Sequence, residues 1–187
     1  MGGLGPGGTA KQLELLREVV PKASRIATLF NTAVSFHAAI AAEVEPAARS
    51  LGVTLRPIEL RSPDDIDAAF ATLAREPVDA LLIFGHGFLY EHGPRVAKLA
   101  IEQRLPAIIP FQEVARYGIL MSYGSTIIDD VRRVPHFVDR VLKGARTAEL
   151  PVEQPSKFYL TINQKTAKAL GLTIPQSLLL RAHEVSE

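Results

Sequence analysis

The stretch GHGFLYEH, residues 85–92, gathers the side chains best suited to chemistry in this chain. His86, Glu91 and His92 follow an apolar run, and two imidazoles with one carboxylate form a ligand set that zinc accepts. The two histidines stand six positions apart in a segment that reads as loop, without the helical i,i+4 spacing that aims two rings at one ion. The pattern implies a histidine facing an organic ligand or water, and no metal. GLGPGG at residues 3–8 fits G-x-G-x-x-G, but a dinucleotide site needs a strand ahead of its glycines, and only Met1 and Gly2 precede these. Residues 1–10 therefore read as a flexible leader. No G-x-S-x-G elbow occurs, and Ser122 and Ser125 lack an acid and a histidine spaced so as to compel a triad. With no cysteine, thiol catalysis, disulfides and Cys-ligated zinc are excluded. The pairs Asp64–Asp65 and Asp129–Asp130 each open a helical stretch, where the helix dipole accounts for them. No catalytic residue and no cofactor is expected.

Binding remains. Phe88, Phe111 and Tyr123 fall at or just past the ends of apolar runs, in company with Asn31, Thr32, Ser35, His86 and Glu113. For any one of the aromatics, core packing is the plain explanation. Their coincidence at one sheet edge reads as an apolar wall with a few polar groups that orient a small organic molecule.

That coincidence requires a particular framework. SRIATLFN (24–31), VTLRPIEL, VDALLIFG (78–85), PAIIPF and ILMSYG have strand length and apolar character. The central residues of VDALLIFG do not alternate with polar ones, as suits a strand covered on both faces. Between them lie helical stretches over about 33–50, SPDDIDAAFATLARE, 94–104 and 126–143, with a short helical turn near 113–117 and a first helix in AKQLELLREVV. In the second stretch, Ser62 is the expected N-cap and Pro63 the first helical residue. The last stretch carries Ile127, Val131, Val134, Val138, Val141 and Leu142 on one face, and Pro135 is expected to kink it. Strands alternating with helices give an α/β fold, a three-layer Rossmann-like parallel sheet of about five strands over residues 11–145. Ligands of such sheets bind beyond the C-terminal strand ends, where all eight candidate residues fall.

Composition narrows the partners. Lys and Arg number 21 against 20 Asp and Glu, so the net charge of +1 favours neither nucleic acid nor an anionic membrane. The opening residues have no basic and apolar pattern of a secretion signal, so the chain as written is expected to stay in the cytoplasm.

KQLELLREVVPKASRIATLFN, AARSLGVTLRPIELRSPDDIDAAFATLAREPVDALLI, LPAIIPFQEVARYGILMSYG and LPVEQPSKFYLTINQKTAKALGLTIPQSLLLRAHEVSE closely resemble the substrate-binding proteins of ABC transporters, in the TrpX-like group. The similarity runs from Lys11 to Glu187, and its most specific part is PVEQPSKF followed by TAKALGLTIP. The resemblance implies a type I periplasmic-binding-protein fold with two lobes, a hinge, a ligand in the cleft and no catalysis. It also implies an ABC permease as partner, and a periplasmic or lipid-anchored location for the full-length protein. Such proteins are longer at the N-terminus, so residues 11–146 are expected to be the C-terminal ligand-binding lobe, with most of the N-terminal lobe missing. Residues 147–187 are expected to be a hinge crossing and a return segment of that missing lobe, with a homodimer forming through 157–187. The aromatic wall fits an amino acid, or an aromatic or branched carboxylate. Two other readings stay open: the effector-sensing domain of a transcription regulator, and an enzyme on a flavodoxin-like sheet.

Overall fold

The structure, a computed structural model, describes residues 8–31, 33–146, 150, 155 and 157–186, without the side chains of residues 130 and 133. Its strands are β1 Arg25–Phe30, β2 Thr54–Glu59, β3 Ala80–Ile83, β4 Ala107–Ile109, β5 Met121–Gly124, β6 Tyr159–Asn163 and β7 Glu184–Ser186. They form one sheet in the order β2-β1-β3-β4-β5-β6-β7. The first five are parallel, as the alternation of strands and helices predicts. β6 runs antiparallel to β5, and β7 runs parallel to β6.

Both faces are covered. α1 Gly8–Val19 and α2 Ser35–Ser50 lay Leu13, Leu16, Val19, Val44 and Ala48 over Ile26, Ala80 and Leu82. On the other face α3 Asp65–Arg75 and α5 Gly93–Glu102 bring Ile66, Phe70, Leu73, Val96 and Ala100 against Leu29, Leu81 and Ile83. Successive residues of β3 thus enter opposite cores, which is why that strand is apolar without alternation. Each of the larger side chains, Val, Leu, Ile or Phe, contributes about 1.5–3 kcal/mol by leaving water.

Several local expectations change. α1 begins at Gly8, with Thr9 and Gln12 buried, so residues 8–10 are helical and not part of a leader. Ser62 does not cap α3; Asp65, one turn later, folds back to accept from the Arg61 and Ser62 N–H groups at 2.8 and 2.9 Å. These charge-assisted bonds hold the Asp65 carboxyl below its ordinary pKa. GHGFLYEH is not a loop: α4 Gly87–Glu91 occupies its centre, and His92 is the residue between α4 and α5 Gly93–Glu102. The short α6 Gln112–Ala115 follows β4, and α7 Ile127–Leu142 runs across Pro135.

The domain boundary changes most. Residues 157–187 were expected to belong to a missing lobe and to offer an apolar surface to a second copy. Instead β6 and β7 complete this sheet, and Leu160, Ile162, Ala167 and Leu178 are buried in its first core. α8 Gln164–Leu170 is fixed by its Asn163 N-cap, which accepts from Thr166 N–H, and by Gly171, whose φ of 73° ends the helix. α9 Gln176–Leu179 follows, leading into β7. The apolar residues of β6 and α8 are thus spent within this sheet, while Leu180 and Val185 stay exposed. The apolar face that the sequence shows on α7 is open, with Val131 at 59%, Val134 at 51% and Leu142 at 82% exposure. The crossing at 147–156 lies almost wholly outside the described residues.

Candidate functional site

The carboxyl ends of the parallel strands form one rim, and two of the loops there are joined by a residue that periodicity alone did not single out. β1 ends at Phe30, and Asn31 turns the chain into α2 through an Asx bond, its Oδ1 accepting from Ala33 N–H at 2.8 Å. In the first turn of α2, His37 is fully buried. Its Nδ1 accepts from the Asn31 N–H at 2.9 Å, and its Nε2 lies 3.0 Å from the Gly85 carbonyl after β3. A backbone N–H can only donate, so Nδ1 is the bare nitrogen and Nε2 carries the hydrogen that Gly85 accepts. Burial disfavours the imidazolium and lowers the His37 pKa below 6.5, while the Gly85 carbonyl acts more weakly in the opposite sense.

His86 follows directly. Its ring centroid lies 6.1 Å from that of His37 and 4.5 Å from that of Phe88. Its Nδ1 accepts from the Phe88 N–H at 3.3 Å, capping α4. Burial, with the neighbouring His37, lowers its pKa as well. Both imidazoles therefore serve as acceptors for rim backbone, and among the described residues no group of three His, Cys, Asp or Glu forms a metal-binding set.

The β4 end adjoins them. A Cβ at Gly85 would stand 2.9 Å from Pro110 Cγ and 3.4 Å from Phe111 Cζ, so only hydrogen allows this approach. Phe111 meets Tyr90 edge to face at 5.2 Å. Burial, followed by the Glu113 carboxylate, raises the Tyr90 pKa, which puts Glu113 on this side of the rim, with its Oε2 buried and unbonded.

The structure thus brings Asn31, His86, Phe88 and Phe111 into one run of neighbouring groups, with Glu113 behind Tyr90. Tyr123 shares the rim but not the cluster. It packs on the core of α1 and α2, stacked on Phe158 at 5.7 Å, whereas Phe88 and Phe111 pack on the opposite core. Gln12 of α1 fixes it by donating to the Tyr123 carbonyl at 2.8 Å. Ser35 opens α2 and is exposed. Thr32 lies outside the described residues. Sequence reasoning missed His37, Tyr90 and Phe158. His37 gave no signal because FHAAI reads as an ordinary helical start.

This is a Rossmann-like lobe with its polar and aromatic groups at the carboxyl edge of the sheet. The chain belongs to the ABC transporter substrate binding protein family, whose profile matches residues 8–186. It is similar to a tyrosine-binding protein of Clostridioides difficile, with 22% identity over 162 residues that make up 87% of this chain and 47% of that protein. Among solved structures it resembles an ABC domain from Streptococcus pneumoniae in complex with L-Trp, at 25% identity and a TM-score of 0.87, covering 95% of this chain and 62% of that one. It also shares its fold with a LacI family transcriptional regulator from Bifidobacterium animalis, at 14% identity and a TM-score of 0.63, over 83% of this chain and 59% of that one. The chain spans about half the length of the curated relative it matches.

Proposed function

We propose that this chain is the ligand-binding lobe of a solute receptor that delivers an amino acid to an ABC permease. The observation that carries the reading is the junction of the Asn31 and Gly85 loops through His37 at the strand ends, with His86, Phe88 and Phe111 alongside. Such a rim supplies apolar area for a side chain and polar groups for orientation, and two relatives are described with tyrosine or tryptophan as ligand. Asn31, Thr32, Ser35, His86, Phe88, Phe111, Glu113 and Tyr123 would contribute to one wall of the site. In the whole protein a second lobe would close over this rim, with the apolar face of α7 turned towards it. An aromatic amino acid is the favoured solute.

Family membership favours transport over effector sensing, because the likeness to the regulator is one of fold alone. Calorimetric titration with L-tryptophan, L-tyrosine and branched amino acids tests the reading. One wall supplies about half the contacts of a closed cleft, so about half of a micromolar binding energy, or a roughly millimolar Kd, is expected. Absence of heat with every amino acid and aromatic carboxylate would contradict it.

A further inference from the structure

Loops at the ends of adjacent strands normally move independently, since each is anchored only to its own strand and helix. Here the Asn31 and Gly85 loops are bridged by one fully buried side chain that bonds backbone on both sides. Neither bond is an ordinary ladder bond, and neither partner is a side chain. The ring is boxed by Phe36 at 4.8 Å, Phe84 at 5.6 Å and His86 at 6.1 Å. Its orientation is therefore fixed by packing as well as by hydrogen bonds. We propose that His37 is a positioning residue for the ligand rim: in its neutral Nε2–H form it clasps the Asn31 loop to the Gly85 loop, and protonation at Nδ1 opens that clasp.

The chemistry follows from the donors. An added proton on Nδ1 would face the Asn31 N–H, donor against donor, so the Asn31 bond must break while Nε2–H can still donate to Gly85. The group set against the His37 ring from the β3–α4 side is His86, whose protonation repels that of His37 and offers no counter-charge. On the β1–α2 side the described neighbours are the Asn31 amide and Phe36. No carboxylate meets the ring among its described hydrogen-bond and ring partners. Because the folded state favours the neutral ring, its contribution is fully present above the unfolded value of about 6.5 and is lost as pH falls below it towards the folded value. The consequence for binding rests on the proposed function; the clasp itself does not.

Long-range 1H–15N NMR of the chain tests both levels separately. The unliganded protein should show His37 as the Nε2–H tautomer at pH 7.5. Between pH 7.5 and 5 the amides of Asn31, Gly85 and His86 should titrate together with His37. His37→Asn keeps an acceptor near the Nδ1 position and cannot titrate in this range, so the Asn31 amide should then stay flat, while His86→Gln should leave the His37-linked titration in place. An Nδ1–H tautomer, or Asn31 and Gly85 amides that follow His86 or ignore pH, would overturn the proposal. With L-tryptophan as the probe, apparent affinity should fall from pH 7.5 to 5 in the wild type and fall clearly less in His37→Asn, where only His86 still titrates at the rim. Equal loss in both proteins would overturn the role of the clasp in binding. If neither L-tryptophan nor L-tyrosine moves any rim amide at pH 7.5, the functional reading falls, and the clasp is decided by the titration alone.

Discussion

Ser122 of β5 stands directly opposite Thr161 of β6 in antiparallel register, and both are buried. The pair lies inside the sheet, flanked by Met121↔Ile162 and Tyr123↔Leu160. Residues 159–186 are thus structural members of this lobe. Ile162 is fully buried in the core shared with α1 and α2, so Ile162→Ala should cost about 2–5 kcal/mol in urea unfolding. A chain cut after Arg146 should fail to give a cooperative transition. A cooperative transition of unchanged midpoint would show that the segment is dispensable.

Gly124 allows β4 and β5 to meet at the rim. A Cβ there would lie 2.0 Å from the Pro110 carbonyl oxygen, a backbone atom that cannot swing aside. Gly124→Ala should destabilise the chain by about 3 kcal/mol or more, because the strands themselves must shift. Thermal unfolding reads this directly, and a loss below about 1 kcal/mol would mean that the rim is looser than described.

The exposed face of α7 makes the opposite prediction. Val131 and Val138 are 59% and 49% exposed, so Val131→Lys and Val138→Lys should each change the stability of this chain by no more than about 0.5 kcal/mol. The same substitution at a position buried in α3, such as Ile66→Lys, should abolish folding. Chemical denaturation of the three variants distinguishes an open helix from a packed one.

Asp79 pins the start of β1 to that of β3, its Oδ2 accepting from the Ser24 and Arg25 N–H groups at 2.7 and 2.8 Å. Partial burial opposes ionisation, but these two donors outweigh it and hold the carboxyl below 3.8. The stabilisation is therefore fully present above about pH 4 and is lost as pH falls through the folded value. Asp79→Asn should cost about 1–2 kcal/mol at pH 7, and the difference from wild type should shrink below pH 3.8. A gap that stays constant to pH 2.5 would assign the effect to shape and not to charge.

Much of this fold could be read from the chain. VDALLIFG shows a doubly covered strand, and the strand–helix rhythm places Asn31, His86, Phe88, Phe111 and Tyr123 on one edge before any coordinate is known. Amphipathic periodicity shows the apolar face of α7 but not its fate, because an apolar stripe reports that a face is to be covered and not by what. The membership of β6 was hidden for a related reason: pairing of Tyr159–Asn163 with β5 is a long-range choice. His37 was invisible because its role lies in two contacts with backbone, which no residue pattern encodes. Nor could the pattern tell that Tyr123 and Phe111 pack on different cores.

The central claim is that the strand-end rim holds an amino acid. The most direct test is a two-dimensional amide NMR titration of this chain with L-tryptophan and L-tyrosine at pH 7.5. The account predicts saturable shifts, with a Kd of roughly millimolar, confined to Asn31, Gly85, His86, Phe88 and Phe111 and extending to Tyr123. Shifts centred on the opposite edge, around Ser24, Asp79 and Asn163, or no saturable shift with either ligand, would contradict it.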